Sequence, residues 1–107
     1  MFTRVVEITA RTGKGKELAR TVNDQILPLL KNQPGFLEEI LLVSHENPDR
    51  LLAQSFWKTR EEAEKYNREG FPRVNELIRN FVEGTPQVRT FEVASSTIQK
   101  IAAGRAA

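Results

Sequence analysis

The chain has 107 residues, a formal charge of +2 and no cysteine. That length allows one domain with a modest core, and the missing cysteines exclude disulfide frameworks, thiolate metal sites and thiol catalysis. No apolar run is long enough to span a bilayer, and the opening MFTRVVEI lacks the basic start and cleavage site of a signal peptide. A cytoplasmic protein that binds no membrane is expected. The basic residues Arg60, Lys65, Arg68 and Arg73 interleave with Glu61, Glu62, Glu64 and Glu69, the pattern of a solvated helix face. A nucleic-acid partner would call for a one-signed stripe instead.

Residues 2–11, FTRVVEITAR, are rich in β-branched side chains without Pro or Gly and predict a strand. A turn at TGKGK leads into a helix over 16–31, where Leu18, Val22, Ile26 and Leu30 recur at steps of four. Pro28 sits late in that helix and predicts a kink or an early stop. After the Pro34-Gly35 turn, FLEEILLVS over 36–44 predicts a second strand. The loop HENPDR follows, and LLAQSFW over 51–57 predicts an antiparallel third strand.

Thr59 with Glu62 three positions on is a capping box that opens a second helix. It stalls at Gly70 and restarts at Phe71-Pro72. Val74, Leu77, Ile78, Phe81 and Val82 then keep one apolar stripe up to a stop at Gly84. A fourth strand is predicted over 87–94, within a domain spanning 1–97 and followed by a C-terminal tail over 98–107. The order β-α-β-β-α-β predicts a ferredoxin-like α+β fold, one antiparallel sheet with both helices on one face. The strands still offer apolar residues to the other face, so a homodimer with stacked sheets is expected.

Three features carry a family resemblance: this element order, the step Pro34-Gly35-Phe36 into the second strand, and the junction Trp57-Lys58-Thr59 with Tyr66 nine residues after the Trp. Together they resemble the antibiotic biosynthesis monooxygenase superfamily, small dimeric α+β barrels. The resemblance implies a dimer with one apolar cavity per subunit, between sheet and helices. Some relatives oxidise aromatic polyketides with O2 and neither metal nor flavin, some degrade haem, some act on quinols or signalling molecules, and many have no known activity. Haem-degrading relatives use an Asn on the first strand, a Trp ending the third and a His on the second helix. Trp57 matches the Trp, but the other two positions fall at about Glu7 and Glu76, and a carboxylate is a poor substitute for an imidazole on iron.

The candidate residues follow from the resemblance and the pattern together. Trp57 and Tyr66 are either core that fixes the strand-helix angle or two walls of a pocket; Phe71 and Asn75 are further candidate ligand contacts, with Asn67 on the same helical arm. Glu7 and Glu76 are the candidate catalytic bases, provided either points into an apolar cavity. The only histidine, His45, lies in a loop, and no spacing suggests a metal site. The expected function is a cofactor-independent monooxygenase acting on a small aromatic or apolar substrate. The alternatives are a non-catalytic dimer that binds a small molecule, and haem degradation.

Overall fold

The computed structural model describes residues 1–98, so most of the expected tail lies outside the described residues. β1 (Phe2–Thr9), β2 (Phe36–Val43), β3 (Arg50–Trp57) and β4 (Gln87–Glu92) form one sheet in the order β2-β3-β1-β4. All three pairings are antiparallel. The first helical arm comprises α1 (Gly15–Thr21), a π-helical turn at Val22–Ile26 and α2 (Leu27–Lys31). The second comprises α3 (Arg60–Glu69), α4 (Phe71–Ile78) and a 3-10 turn at Arg79–Phe81. This is the ferredoxin-like α+β arrangement expected from the element order.

Side-chain alternation sets the layers. On β1, Phe2, Arg4, Val6 and Ile8 are buried beneath the helices, and the strand period of two turns Thr3, Val5, Glu7 and Thr9 to the opposite face. Leu51, Trp57 and the helix residues Leu18, Leu30 and Ile78 complete a single core. A small second cluster, Leu37 with Phe56, lies on the opposite face beneath Met1, Ile40 and Val93.

Two local departures from the sequence expectation have physical causes. Pro28 neither stops the first arm nor ends it early; the chain stays helical to Lys31. One turn ahead of the proline the backbone widens, and Leu27 N–H bonds the carbonyl of Val22, five residues back. A wider turn relieves the proline's missing donor and its crowding of the carbonyl four residues earlier. The second arm ends sooner than its stripe suggests. Arg11 N–H donates to the Phe81 carbonyl at 2.8 Å and Glu83 N–H to that of Thr9 at 2.8 Å. Those bonds draw Val82 out of the helix into a bridge with Ala10.

Two glycines are required at close approaches, one where the second arm meets the sheet and one within that arm. Gly35 has φ +82, and a Cβ there would lie 2.3 Å from Glu62 Cδ. Its carbonyl accepts Lys58 N–H at 2.9 Å, so the Pro34-Gly35-Phe36 turn is seated directly against the start of α3. Thr59 Oγ1 accepts Glu62 N–H at 3.1 Å as the expected cap, while its hydroxyl donates to Glu62 Oε1 at 3.0 Å. The reciprocal half of the box therefore goes to the Thr side chain and not to its backbone. At Gly70 a Cβ would lie 2.6 Å from the Tyr66 ring, so the break between α3 and α4 is also what lets that ring lie flat against the backbone.

Candidate functional site

The helix-facing floor of the sheet and the two arms enclose a cavity. Its walls are Val6, Ile8 and Ala53 from the sheet and Val22, Ile26, Leu30, Phe71, Val74 and Ile78 from the helices. The polar lining is confined to Arg4, Ser55, Glu39 and Tyr66. The enclosed volume is about 30 Å³, the space of one water or one dioxygen molecule. Sites for substrate-sized ligands run to several hundred Å³, so a larger guest enters only if the arms part. The π-helical turn contributes Val22 and Ile26 to the wall, and such turns are frequent at functional sites.

The polar residues are set by register. Arg4 on β1 pairs with Ser55 on β3, and Ser55 pairs with Glu39 on β2, so cation, hydroxyl and carboxylate occupy one row across three strands. Glu39 reaches this face through a bulge between Phe36 and Glu38. The extra residue reverses the alternation, so Glu39 shares the helix-facing side with Phe36.

Arg4 is only 3% exposed and is held on several sides. Its Nη2 donates to Asn67 Oδ1 at 2.8 Å, and its guanidinium lies 4.9 Å from the Tyr66 ring centre and 4.6 Å from that of Phe71, within cation–π range. Tyr66 in turn stacks on Trp57 at 5.0 Å. Phe36 meets the Trp57 ring edge-on at 5.6 Å. Trp57 Nε1 donates to Ser55 Oγ at 2.9 Å, which satisfies the one polar atom of a ring that is otherwise wholly enclosed.

Burial pushes the Glu39 carboxyl up from its usual 4.5 to about 7, and Arg4 partly opposes the shift. Burial also raises the Tyr66 phenol to about 12, again opposed by Arg4. The Arg4 guanidinium is lowered by burial and supported by Tyr66 and Glu39; arginine nonetheless stays charged at any physiological pH. Glu39 Oε2 is shut away from solvent with no hydrogen-bond partner.

With this geometry in place, the family is decided by comparison. Residues 1–83 match the family described as antibiotic biosynthesis monooxygenase. The chain belongs to that family. No curated protein matches it. Among solved structures it is similar in fold to SnoaB, a cofactor-independent oxygenase from Streptomyces nogalater, at 17% identity and TM-score 0.75 over 91% of this chain and 96% of that one. It is also similar to a variant of MhuD with two manganese protoporphyrin IX molecules bound per active site, at 20% identity and TM-score 0.75 over 91% and 98% of the two chains. A protein of unknown function from Nitrosomonas europaea matches at 13% identity and TM-score 0.77 over 91% and 92%. One fold thus serves an oxygenase, a porphyrin binder and a protein without an assigned role.

In this family member the candidates chosen from sequence separate into three groups. Tyr66 and Phe71 line the cavity. Trp57 stands one layer behind them, fully buried, supporting Tyr66 by stacking. The remaining candidates lie elsewhere. Glu7 points to the open face of the sheet beside Arg89, 3.7 Å away, as its phase with Val5 and Thr9 requires. Glu76 is exposed on α4 and pairs with Arg73 at 3.3 Å. Asn75 lines a separate recess with Arg11, Arg79 and Thr85, and its buried Oδ1 has no hydrogen-bond partner among the described residues. The arms hold no histidine, and His45 is exposed in the loop between β2 and β3, so the haem-degrading pattern has no imidazole at this cavity. Among the described residues no three of His, Cys, Asp and Glu converge in a way that could hold a metal ion, and no helix is long and apolar enough to cross a membrane.

Proposed function

We propose that this chain is a homodimeric monooxygenase that oxidises a small aromatic substrate bearing a hydroxyl group, using O2 with no metal or organic cofactor. The observation that carries the reading is an apolar hollow, in a member of this family, with Arg4, Ser55 and Glu39 in one row on its floor and Tyr66 facing them from α3. Once the arms part to admit it, apolar walls exclude water and hold an aromatic body. The polar row helps remove the hydroxyl proton. The resulting electron-rich anion supplies all the electrons for O2 reduction: one oxygen atom bonds to ring carbon, and the other leaves as water with the substrate's C–H and O–H hydrogens.

The dimer in this proposal is formed by the open sheet face, where Phe91 is 51% and Leu42 48% exposed. Stacking two such faces would cover them and leave both cavities under their helices. Oxygen consumption on a panel of hydroxylated polycyclic aromatics tests the chemistry. Uptake above the uncatalysed rate, matched by an oxygenated product, is expected with at least one compound. No uptake across the panel would remove the oxygenase assignment, and a co-purifying ligand released with unchanged mass would replace it with a binding dimer.

A further inference from the structure

Arg4, Ser55 and Glu39 lie side by side on three adjacent strands, yet the two charged residues do not pair. The ion pairs among the described residues are Lys14–Glu17, Arg60–Glu64, Arg73–Glu76 and Arg89–Glu7, all on the surface. Arg4 has found other partners in Asn67 and two ring faces. Glu39 has not: its Oε2 is enclosed and unbonded. For stability alone an aliphatic residue would serve better at this position, because an unsatisfied buried carboxylate is costly. The row therefore has the form of a site with one acceptor at one end, one fixed cation at the other, and a hydroxyl between them that already accepts from Trp57.

We propose that Glu39 and Arg4 form a hydroxyl-recognition site, in which Glu39 Oε2 takes the hydrogen bond and then the proton of a ligand hydroxyl, and Arg4 holds the oxygen. The ligand O–H bond breaks and an O–H bond forms on Glu39. The electron pair stays on the ligand oxygen, so the negative charge moves from carboxylate to ligand and the site's net charge does not change. Neutral hydroxyl compounds on an apolar body fit this site. Pure hydrocarbons and ethers leave Glu39 unsatisfied, and carboxylates or phosphates meet its charge. The assignment rests on the cavity reading above for where the ligand sits, but not on turnover.

The charged and titratable groups facing Glu39 are Arg4 from β1 and Tyr66 from α3. The first arm and α4 present aliphatic side chains, with Phe71, and β3 presents Ala53 and Ser55. Ligand recognition should therefore follow the Glu39 carboxyl, which is ionised above about pH 7.

Equilibrium binding of naphthol and of its methyl ether, under argon, tests this directly. At about pH 8 naphthol is still neutral, and the wild-type chain should bind it roughly tenfold or more tighter than the ether, as a hydrogen bond to a charged group implies. That preference should shrink as pH falls through about 7. In Glu39→Gln, which keeps the side-chain volume, the preference should collapse to about threefold or less and lose its dependence on pH, while Glu39→Asp should retain both in weakened form. The proposal is overturned if the ether binds the wild type as well as naphthol, if Glu39→Gln discriminates undiminished, or if naphthol does not bind up to its solubility limit. Binding as described without oxygen uptake in air would remove the oxygenase reading and leave this site standing.

Discussion

The two faces of the sheet are built from the same four strands but are put to different uses. Under the helices, Phe2, Val6, Ile8, Leu51 and Trp57 are sealed, and the polar groups of the sheet that face the cavity are fixed in one register row. On the other face, Phe91 and Leu42 stay half exposed, an ion pair between Glu7 and Arg89 lies among them, and Gln54 donates to Thr3 Oγ1 at 3.3 Å. Residues of opposite phase on β1 thus belong to different problems. Arg4 is a buried cation at the cavity, and Glu7, three residues on, is a surface anion. A period of two lets one strand line a cavity on one side and an open apolar surface on the other, at the cost that any error in phase exchanges the two.

The largest contrast between the faces should appear on truncating the helix-side aromatic. Trp57 is fully enclosed, stacks on Tyr66 and holds Ser55. Trp57→Ala removes that contact area and leaves a cavity, a loss of about 3–5 kcal/mol for residues of this kind. Denaturant unfolding should show a much lower midpoint. A loss below about 1 kcal/mol would mean that the arms collapse onto the gap, and that the helix side is softer than its packing implies.

The second contrast is in pH. Glu39 has a folded-state value raised from 4.5 to about 7 by burial. The unfolded chain therefore loses this proton first as pH rises, and the associated stability is complete below about 4.5 and gone above about 7. The change is of order 2–3 kcal/mol. Thermal melts of the wild type over that window should fall relative to Glu39→Gln, whose curve lacks this component. If the Glu39→Gln profile instead tracked the wild type across this window, Glu39 would not be the buried titrating group under the helices.

How much of this was legible in the sequence depends on whether the signal was local. The element order, the Thr59 cap, the Gly70 break and the Pro34-Gly35-Phe36 turn are local chemistry and stand as read. Tyr66 was singled out by its place nine residues after Trp57 and Phe71 as a further candidate on the same helical arm, and both line the cavity. Arg4 was missed although it is in phase with Phe2, Val6 and Ile8, since a charged residue in a strand is normally taken to face water. What buries it, Asn67 and Tyr66 on α3, is sixty residues away in sequence. Glu39 was missed for a different reason. Counting by twos from Phe36 puts Glu38 on the helix side, and only the bulge moves Glu39 there. Bulges leave little trace in a single sequence. Trp57 and Tyr66 are nine residues apart in the chain, on β3 and α3, and only the packing of α3 on the sheet brings their rings into a stack at 5.0 Å.

The smallest effect on the fold itself, and the sharpest on assembly, should come from the open face. Phe91 contributes little to the core of its own chain because half of it is already in water. Phe91→Asp should therefore change the unfolding midpoint of dilute protein by no more than about 1 kcal/mol. If two sheets stack there, however, a charge is placed inside an apolar contact, and Phe91 loses the roughly 2 kcal/mol that covering its remaining apolar area would supply in each subunit. The dimer dissociation constant should rise by two orders of magnitude or more, read by sedimentation over a concentration series. Glu7→Gln, which breaks a 3.7 Å surface pair on the same face, is the matched control and should shift it far less. A wild-type chain that sediments as a monomer at high concentration would mean that this apolar face is covered in some other way. The cavity under the helices, which shares the strands but not the surface, would then have to be complete within one subunit.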